Sequence, residues 1–484
     1  MILALAIRSR RRRLQPRHLP MPSLPALSGI RFITLLAIAT QLGCTPVTVP
    51  RTPMQIPSAW SEPQDQTGRP VDLRSWWNTL DDSRLNALVD EALHRNLDLA
   101  RSAQLLEAER RLAGRAQAQF LPWLSGGARP AKDAAARDSY FNVGLDMTWE
   151  LGLFGAAESE RRLAQAELEQ AEARQQGLRV SLVAAVVRNY LDLGVANGQI
   201  AILQRIQAID SQAERLSLTR LNTHLGSQNE VDATSLKKWQ TQAEIASMRL
   251  TADRAARALA LLLGRDGPDP VWRQVTQPRA LTSLALQAVP ADLLRTRPDI
   301  GQAEAEVLRA AANLGMARAA MYPRLSLGGS ILYSYNVTQN RRSNSNFVPS
   351  VGPTIDIPLW DWGARRAQVA ASTHEIDAAL LGYRKAVLTA VSEVEEALSA
   401  LERLRDRVQA LEEAGHVQSR RAAAQRRLAA LGLSSDFEAQ IESRALLEAQ
   451  ARTELAQGSR TLAFVALYKA LGGAPLNERR EANP

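Results

Sequence analysis

The chain carries the same unit twice, at a spacing of a little over 200 residues, and this duplication narrows its possible folds more than any other feature. Asn96-Leu97-Asp98-Leu99 returns as Arg297-Pro298-Asp299-Ile300, and in each copy 24 residues separate the aspartate from a proline, Pro122 or Pro323. Leu151-Gly152-Leu153-Phe154-Gly155 returns as Leu359-Trp360-Asp361-Trp362-Gly363, Leu225-Gly226 as Leu431-Gly432, and Leu262-Leu263-Gly264 as Ala470-Leu471-Gly472. Five landmarks keep one order at offsets between 201 and 208. Ala- and Leu-rich helices look alike by composition, but Pro and Phe/Trp-Gly landmarks do not arise that way.

Each copy reads as helix, strand pair, very long helix, tight turn and return helix. The first helices are expected near Ser83–Phe120 and Ala291–Tyr322, ended by Pro122 and Pro323, which cannot continue the hydrogen-bond ladder. The period then changes. Phe141, Val143, Leu145, Met147 and Trp149 alternate with Asn142, Gly144, Asp146 and Thr148, which describes a strand with one greasy and one wet face. Leu325, Leu327, Ile331, Tyr333 and Tyr335 alternate likewise, with Leu332 out of phase, and so do Phe347, Val351, Ile355 and Ile357. A first strand near Trp123–Arg129 is poorly patterned, and Pro349 and Pro353 fit a central strand badly. Segments of this kind suit a transmembrane β-barrel. Four strands cannot close one, so several chains have to pool them; a small soluble sandwich is the other reading.

Helices near Ala156–Asn222 and Ala364–Ala430 follow, each about 67 residues, or roughly 100 Å at 1.5 Å per residue. Return helices are expected at 230–263 and 437–471, with the turn glycines supplying left-handed backbone. With aromatics at only 5%, such helices have to pack side by side along apolar stripes such as Val180, Val183, Val187, Tyr190, Leu191 and Val195. Gly177, Gly194 and Gly198 allow a kink or a close approach there.

A formal charge of +9 invites a nucleic-acid reading, but seven arginines and no acid lie in residues 1–43, and removing them leaves +2. No nucleic-acid partner is expected. Arg31 precedes the apolar run 32–39, too short to span a bilayer and followed by Gln41-Leu42-Gly43-Cys44. This reads as a signal peptide over 1–43, with Met21 as a possible alternative start. Cys44, the only cysteine, closes a sequence resembling a lipoprotein signal, with Gln41 where leucine is usual. Such a signal implies a covalent lipid on Cys44, N-palmitoyl and S-diacylglycerol. The layout is then an extended segment over 44–82, repeats over 83–264 and 291–473 around a linker at 265–290, and a tail over 474–484. Nothing suggests an enzyme: the five histidines are scattered, and no metalloprotease, nucleophile-elbow or phosphate-loop motif occurs.

These residues resemble the outer membrane efflux (TolC) family, in the branch of lipoprotein exit factors serving resistance-nodulation-division pumps. The resemblance runs from Trp76-Trp77, Leu85-Asn86-Ala87-Leu88-Val89 and Asn96-Leu97-Asp98-Leu99-Ala100, through Arg297-Pro298-Asp299-Ile300 and Tyr322-Pro323-Arg324-Leu325-Ser326-Leu327, to Ile357-Pro358-Leu359-Trp360-Asp361-Trp362-Gly363. Leu121 and Tyr322 stand where that family usually has Phe. The resemblance implies a mainly α fold with a transmembrane β segment, assembled as a homotrimer with a twelve-stranded barrel and a periplasmic α-helical barrel. It implies an outer-membrane location in a Gram-negative bacterium, a periplasmic adaptor at the helical tip, and an inner-membrane pump that drives a passive exit duct. Adaptor-docking positions are then Leu225, Gly226, Leu431, Gly432, Arg220 and Arg427. Asp436 and Glu438, with Glu230 and Asp232 in like places in copy one, become candidate pore-constriction acids; helix-start acids stabilised by the dipole are the other reading. A protein-secretion duct and a lipid-anchored periplasmic coiled-coil scaffold without a pore remain alternatives.

Overall fold

The computed structural model describes residues 60, 69–70, 73–133, 138–276, 284–285, 296–336 and 345–473. The signal peptide, Met21, Cys44, the tail 474–484, most of the segment 44–82 and part of the linker 265–290 lie outside the described residues.

A short pair β1 (Arg69–Pro70) with β4 (Leu284–Ala285) accompanies a mainly helical body. Repeat one holds α1 (Ser83–Arg95), α2 (Leu97–Ala113), β2 (Trp123–Asp133), β3 (Asp138–Glu150), α3 (Ala156–Asn222) and α4 (Gln228–Leu262). Repeat two holds α5 (Pro298–Ala319), β5 (Arg324–Asn336), β6 (Ser345–Asp356), α6 (Ala364–Ala430) and α7 (Asp436–Ala470). The long helices have the expected bounds and 67 residues each; the return helices have 35 each. A constant offset of 208 therefore relates the helical hairpins.

The first helix is not continuous, contrary to expectation. It breaks at Asn96, whose backbone leaves the helical region (φ −64°, ψ 126°) and whose side chain accepts from Leu99 N–H to start α2. The same side chain donates to the Leu262 carbonyl at 2.9 Å. Its repeat-two counterpart Arg297 precedes α5 and donates to the Ala470 carbonyl, the counterpart of Leu262. In copy two α5 starts at Pro298 with Arg297 as its N-cap, so the helix expected over Ala291–Tyr322 is broken there; residues 291–295 lie outside the described residues. Each copy thus fastens its first helix to the end of its own return helix.

The strands form one antiparallel sheet in the order β2-β3-β5-β6. Leu145 lies opposite Gly126 and Ile331, so Leu124, Gly126, Ala128 and Pro130 share the greasy face of β3. The first strand is patterned after all, with small residues where its neighbours are large. Leu332, the out-of-phase residue, lies opposite Gly144, whose missing side chain gives it room. Pro349 and Pro353 fall on β6, an edge of the chain's sheet, where a missing ladder donor affects one side only. Large apolar side chains of the greasy face, including Val143, Leu145, Ile331 and Val351, are exposed within the single chain.

The main core sits where α1, α3, α4 and α7 meet. Val183, Val187, Tyr190 and Leu191 of α3 are buried with Trp76, Trp77, Leu85, Leu259 and Phe464, whereas Val195 is only half-buried. Trp76 stacks on Tyr468 at 5.2 Å. Asp82 caps α1 by accepting from Arg84 N–H at 2.9 Å and also accepts from the Tyr190 hydroxyl at 2.7 Å. Gly198 lets α3 approach α7: a Cβ there would strike the Glu454 carboxylate. The helix is not interrupted at Gly177, Gly194 or Gly198.

Candidate functional site

The free ends of the two helical hairpins gather the tip residues. Each long helix closes on a turn built by the same hydrogen bonds: Leu225 N–H donates to Arg220 O at 2.8 Å, and Leu433 N–H to Leu428 O at 2.9 Å. The left-handed residues are His224 (φ 57°) and Gly432 (φ 72°), 208 apart like the helices. Gly226 therefore is not the counterpart of Gly432 and does not supply the left-handed backbone expected of it. Its place beside Arg220 is tight instead, since a Cβ there would come within 2.9 Å of Arg220 Cβ. The same offset pairs Leu225 with Leu433. Leu225, Leu431 and Leu433 are exposed at the turns. Leu433 was legible only from the equal lengths of the paired helices, because the repeated Leu-Gly dipeptide misaligns the turns.

Arg220 and Arg427, expected to play similar parts, are placed differently. Arg220 is drawn into the chain: Nε lies 3.0 Å from Glu230 Oε1 without hydrogen-bond alignment, Nη2 donates to Leu225 O at 3.2 Å, and the guanidinium sits 5.7 Å from the Phe437 ring centre. It ties hairpin one to the start of α7. Arg427 is exposed. Among the acids, Glu230 matches Glu438 and Gln228 matches Asp436, so the equivalence expected for Glu230 and Asp232 is off by two. Glu438 folds back on its own helix. Its carboxylate accepts from the Ser434 hydroxyl and from Ser435 N–H, while Ser435 Oγ accepts from Glu438 N–H at 3.2 Å, a capping box. The Ser434 hydroxyl, then the Ser435 amide, hold its pKa below the usual carboxylate range. Asp436 opens α7 and is exposed.

Deeper in the hairpins Asp210 of α3 is buried against Arg444 of α7. Arg444 Nε donates to Asp210 Oδ1 at 2.6 Å, and Thr241 of α4 donates to Oδ2 at 2.7 Å. Arg444 also pairs with Glu448. Sequence reading missed this cluster, because its members are far apart in the chain and match no motif. Among the described residues no group of acids, histidines or cysteines has metal-binding geometry, and no helix is long and apolar enough to cross a membrane.

A four-stranded sheet with one greasy face, joined to two helical hairpins whose long helices run roughly 100 Å, suits a subunit of a membrane channel. The chain belongs to the outer membrane efflux protein family, which matches residues 88–265 and 289–473. It is 30% identical to outer membrane protein OprJ of Pseudomonas aeruginosa over 469 residues, covering 91% of this chain and 95% of that one. It is 31% identical to nodulation protein T of Rhizobium leguminosarum bv. viciae over 363 residues, covering 73% and 74%. The outer-membrane channel OprN superposes with a TM-score of 0.76 at 26% identity, over 88% of this chain and 99% of that one. The protein is the outer-membrane component of an efflux system.

Proposed function

We propose that three copies of this chain form a passive, gated exit duct for drugs or other small toxic compounds. The three sheets close into one twelve-stranded barrel, and the hairpins continue it as a helical tunnel across the periplasm. The observation that carries this reading is the sheet itself: one continuous greasy face, a wet face, and two unpaired edges at β2 and β6. Open edges bearing exposed apolar side chains are disfavoured in water and in lipid alike, and closure with like edges removes them. The relatives include a solvent efflux pump outer membrane protein, SrpC of Pseudomonas putida, 30% identical over 337 residues. Energy comes from an inner-membrane pump of the resistance-nodulation-division type, which also sets the substrate. A periplasmic adaptor docks on the exposed Leu225, Leu431 and Leu433, with Gly226, Gly432 and Arg427 beside them, while Arg220 holds the docking turn in shape.

Under threefold symmetry Asp436 becomes a ring of three carboxylates at the tunnel end, an arrangement that favours cations. Cys44 carries the lipid: acyl chains add about 0.8 kcal/mol of membrane affinity per buried methylene. Mass spectrometry of the mature N-terminal peptide reads this directly, and an unmodified Cys44 rejects it. The duct itself is tested by single-channel recording in planar bilayers. Discrete, ohmic conductance from the purified protein is expected; a protein that stays monomeric and soluble without detergent, and conducts nothing, refutes it. For docking, Leu225→Asp plus Leu433→Asp leaves the turns' backbone bonds intact and is expected to abolish resistance while assembled channels still reach the outer membrane. Unchanged minimum inhibitory concentrations reject that role for the tips.

A further inference from the structure

The structure contains a repeat-to-repeat seam inside the chain, and the duplication makes it a template for the seam between chains. Within the chain β3 of repeat one pairs with β5 of repeat two, and α3 packs on α5 and α7. The two hairpins share one register: Trp123 lies opposite Thr148, and Arg324 opposite Asp356, which are the same positions moved by 201 and 208. The inner seam places Asp146 opposite Ser330 and Met147 opposite Gly329. Moving its β3 side forward by 208 and its β5 side back by 201 gives a unique register for the free edges. Resting on the trimeric reading above, we infer that β6 of one subunit pairs with β2 of the next, with Thr354 opposite Arg129 and Ile355 opposite Ala128.

The strand faces agree with this register, and two further observations agree with reuse of the inner seam between chains. Ile355 and Ala128 both lie on the greasy face, and Thr354 and Arg129 both on the wet one; a slip of one residue would reverse every side chain of a strand. Burial follows the same translation. Val180 is 6% exposed inside the chain while its counterpart Leu388, on the α6 flank, is 56% exposed. Leu447 is 4% exposed against Leu203 and Ile206, while its counterpart Trp239, on the α4 flank, is 65% exposed. Trp239 accordingly packs on the neighbour's α6 at Leu411 and Ala414, the counterparts of Leu203 and Ile206. One ring contact of the inner seam also has exposed counterparts. Phe154 stacks on Tyr322 at 4.8 Å across the inner seam, and their counterparts Trp362 and Leu121 are both exposed, one on each flank.

The test is disulfide trapping in the full-length protein, with the wild-type chain and its Cys44 as background. Thr354→Cys with Arg129→Cys is expected to give covalent dimers and trimers on non-reducing gels. Asp146→Cys with Ser330→Cys, the same positions on the inner seam, is expected to close within one chain. Thr354→Cys with Gly127→Cys, two residues out of register on the same face, is expected to yield at least fivefold less intermolecular product. Separately, Trp239→Asp is expected to lower the temperature at which trimers dissociate. Trimers by native mass spectrometry that cross-link best through Gly127, or not at all, overturn the register while leaving the trimer standing. An unchanged dissociation temperature in Trp239→Asp overturns the helical half. Monomers throughout defeat the trimeric reading and the register with it.

Discussion

Replacing Arg297 by Met tests whether the junction closing repeat two is a structural lock. The Arg297 side chain is buried, donates to the Ala470 carbonyl, and spans Asp299 and Glu393, each with Nη2···O at 2.7 Å. Both carboxylates are about half exposed and regain water when the guanidinium leaves, so their ion pairs are worth under about 1 kcal/mol each. The Ala470 carbonyl loses its donor, and a hydrogen bond from a charged group contributes about 1.5–3 kcal/mol. The total is about 3 kcal/mol. Asn96→Ala removes a cap worth about 1 kcal/mol and the bond to Leu262 O, about 1 kcal/mol more. With an unfolding entropy of about 2.1 cal/mol/K per residue, a chain of this size loses roughly 3 °C of melting temperature in Arg297→Met and roughly 2 °C in Asn96→Ala. Circular dichroism of detergent-solubilised protein at one scan rate reads both. Arg110→Ala, which breaks an exposed 3.3 Å pair with Glu172, is the neutral comparison. The two junctions lie in different repeats, so the double variant is expected to show the sum of the single losses. Melting of Arg297→Met indistinguishable from Arg110→Ala would refute the lock.

At the left-handed turn positions, Gly432→Ala is expected to cost about 1 kcal/mol and His224→Gly to gain a few tenths, because L residues disfavour positive φ; the same melting assay with opposite signs would reject the turn assignment. The Glu91 carboxylate is bound by Arg265 at 2.6 and 2.9 Å, and that hydrogen bond is the main cause holding its pKa below the usual value. A depressed carboxylate stabilises the fold above its unfolded pKa of about 4.3 and loses that contribution as pH falls through the lower folded value. Glu91→Gln is therefore expected to be less stable than wild type at pH 7 by about 1–2 kcal/mol, with the gap closing as pH falls from the unfolded value through the lowered folded one; a gap independent of pH contradicts the ion pair. Asp436→Asn is expected to lower cation over anion permeability in reversal-potential measurements, and an unchanged reversal potential removes Asp436 from the pore.

Period and punctuation made most of the fold legible. The 67-residue helices were bounded by Gly155 and Gly363 at one end and by the turns at the other, and both appear with the expected limits. The strand faces followed from alternation, because in a strand neighbouring side chains point to opposite sides whatever surrounds them. What sequence did not reveal depends on partners far along the chain. Asn96 breaks a helix that has no Gly or Pro at that point, and its second bond goes to a carbonyl 166 residues away. Asp210, Arg444 and Thr241 look like ordinary polar helix residues until three helices meet. At the tips the Leu-Gly dipeptide recurs at an offset of 206, whereas the helices around it recur at 208, so a local identity competes with the equal length of two helices. The dipeptide matches Gly226 to Gly432 and Asp232 to Glu438, while the helix lengths match His224 to Gly432, Leu225 to Leu433 and Glu230 to Glu438.

In the proposed trimer the two seams differ in chemistry although they share a geometry. Inside the chain, hairpin one is latched to α7 by Asp210 with Arg444 and by Arg220 over Phe437. On the outer seam the same positions are Gln418 with Leu236 and Leu428 with Asn229, so the charged latches have no equivalents there. Removing one partner of a buried ion pair is costly, about 3–5 kcal/mol, and Asp210 is 2% exposed. Arg444→Met leaves that carboxylate with only the Thr241 hydroxyl, and is expected to loosen α7 from hairpin one while leaving the apolar contacts between chains in place. Hydrogen exchange would then rise along 436–448 with no change in the temperature of trimer dissociation. If both change together, the seams are not separate elements.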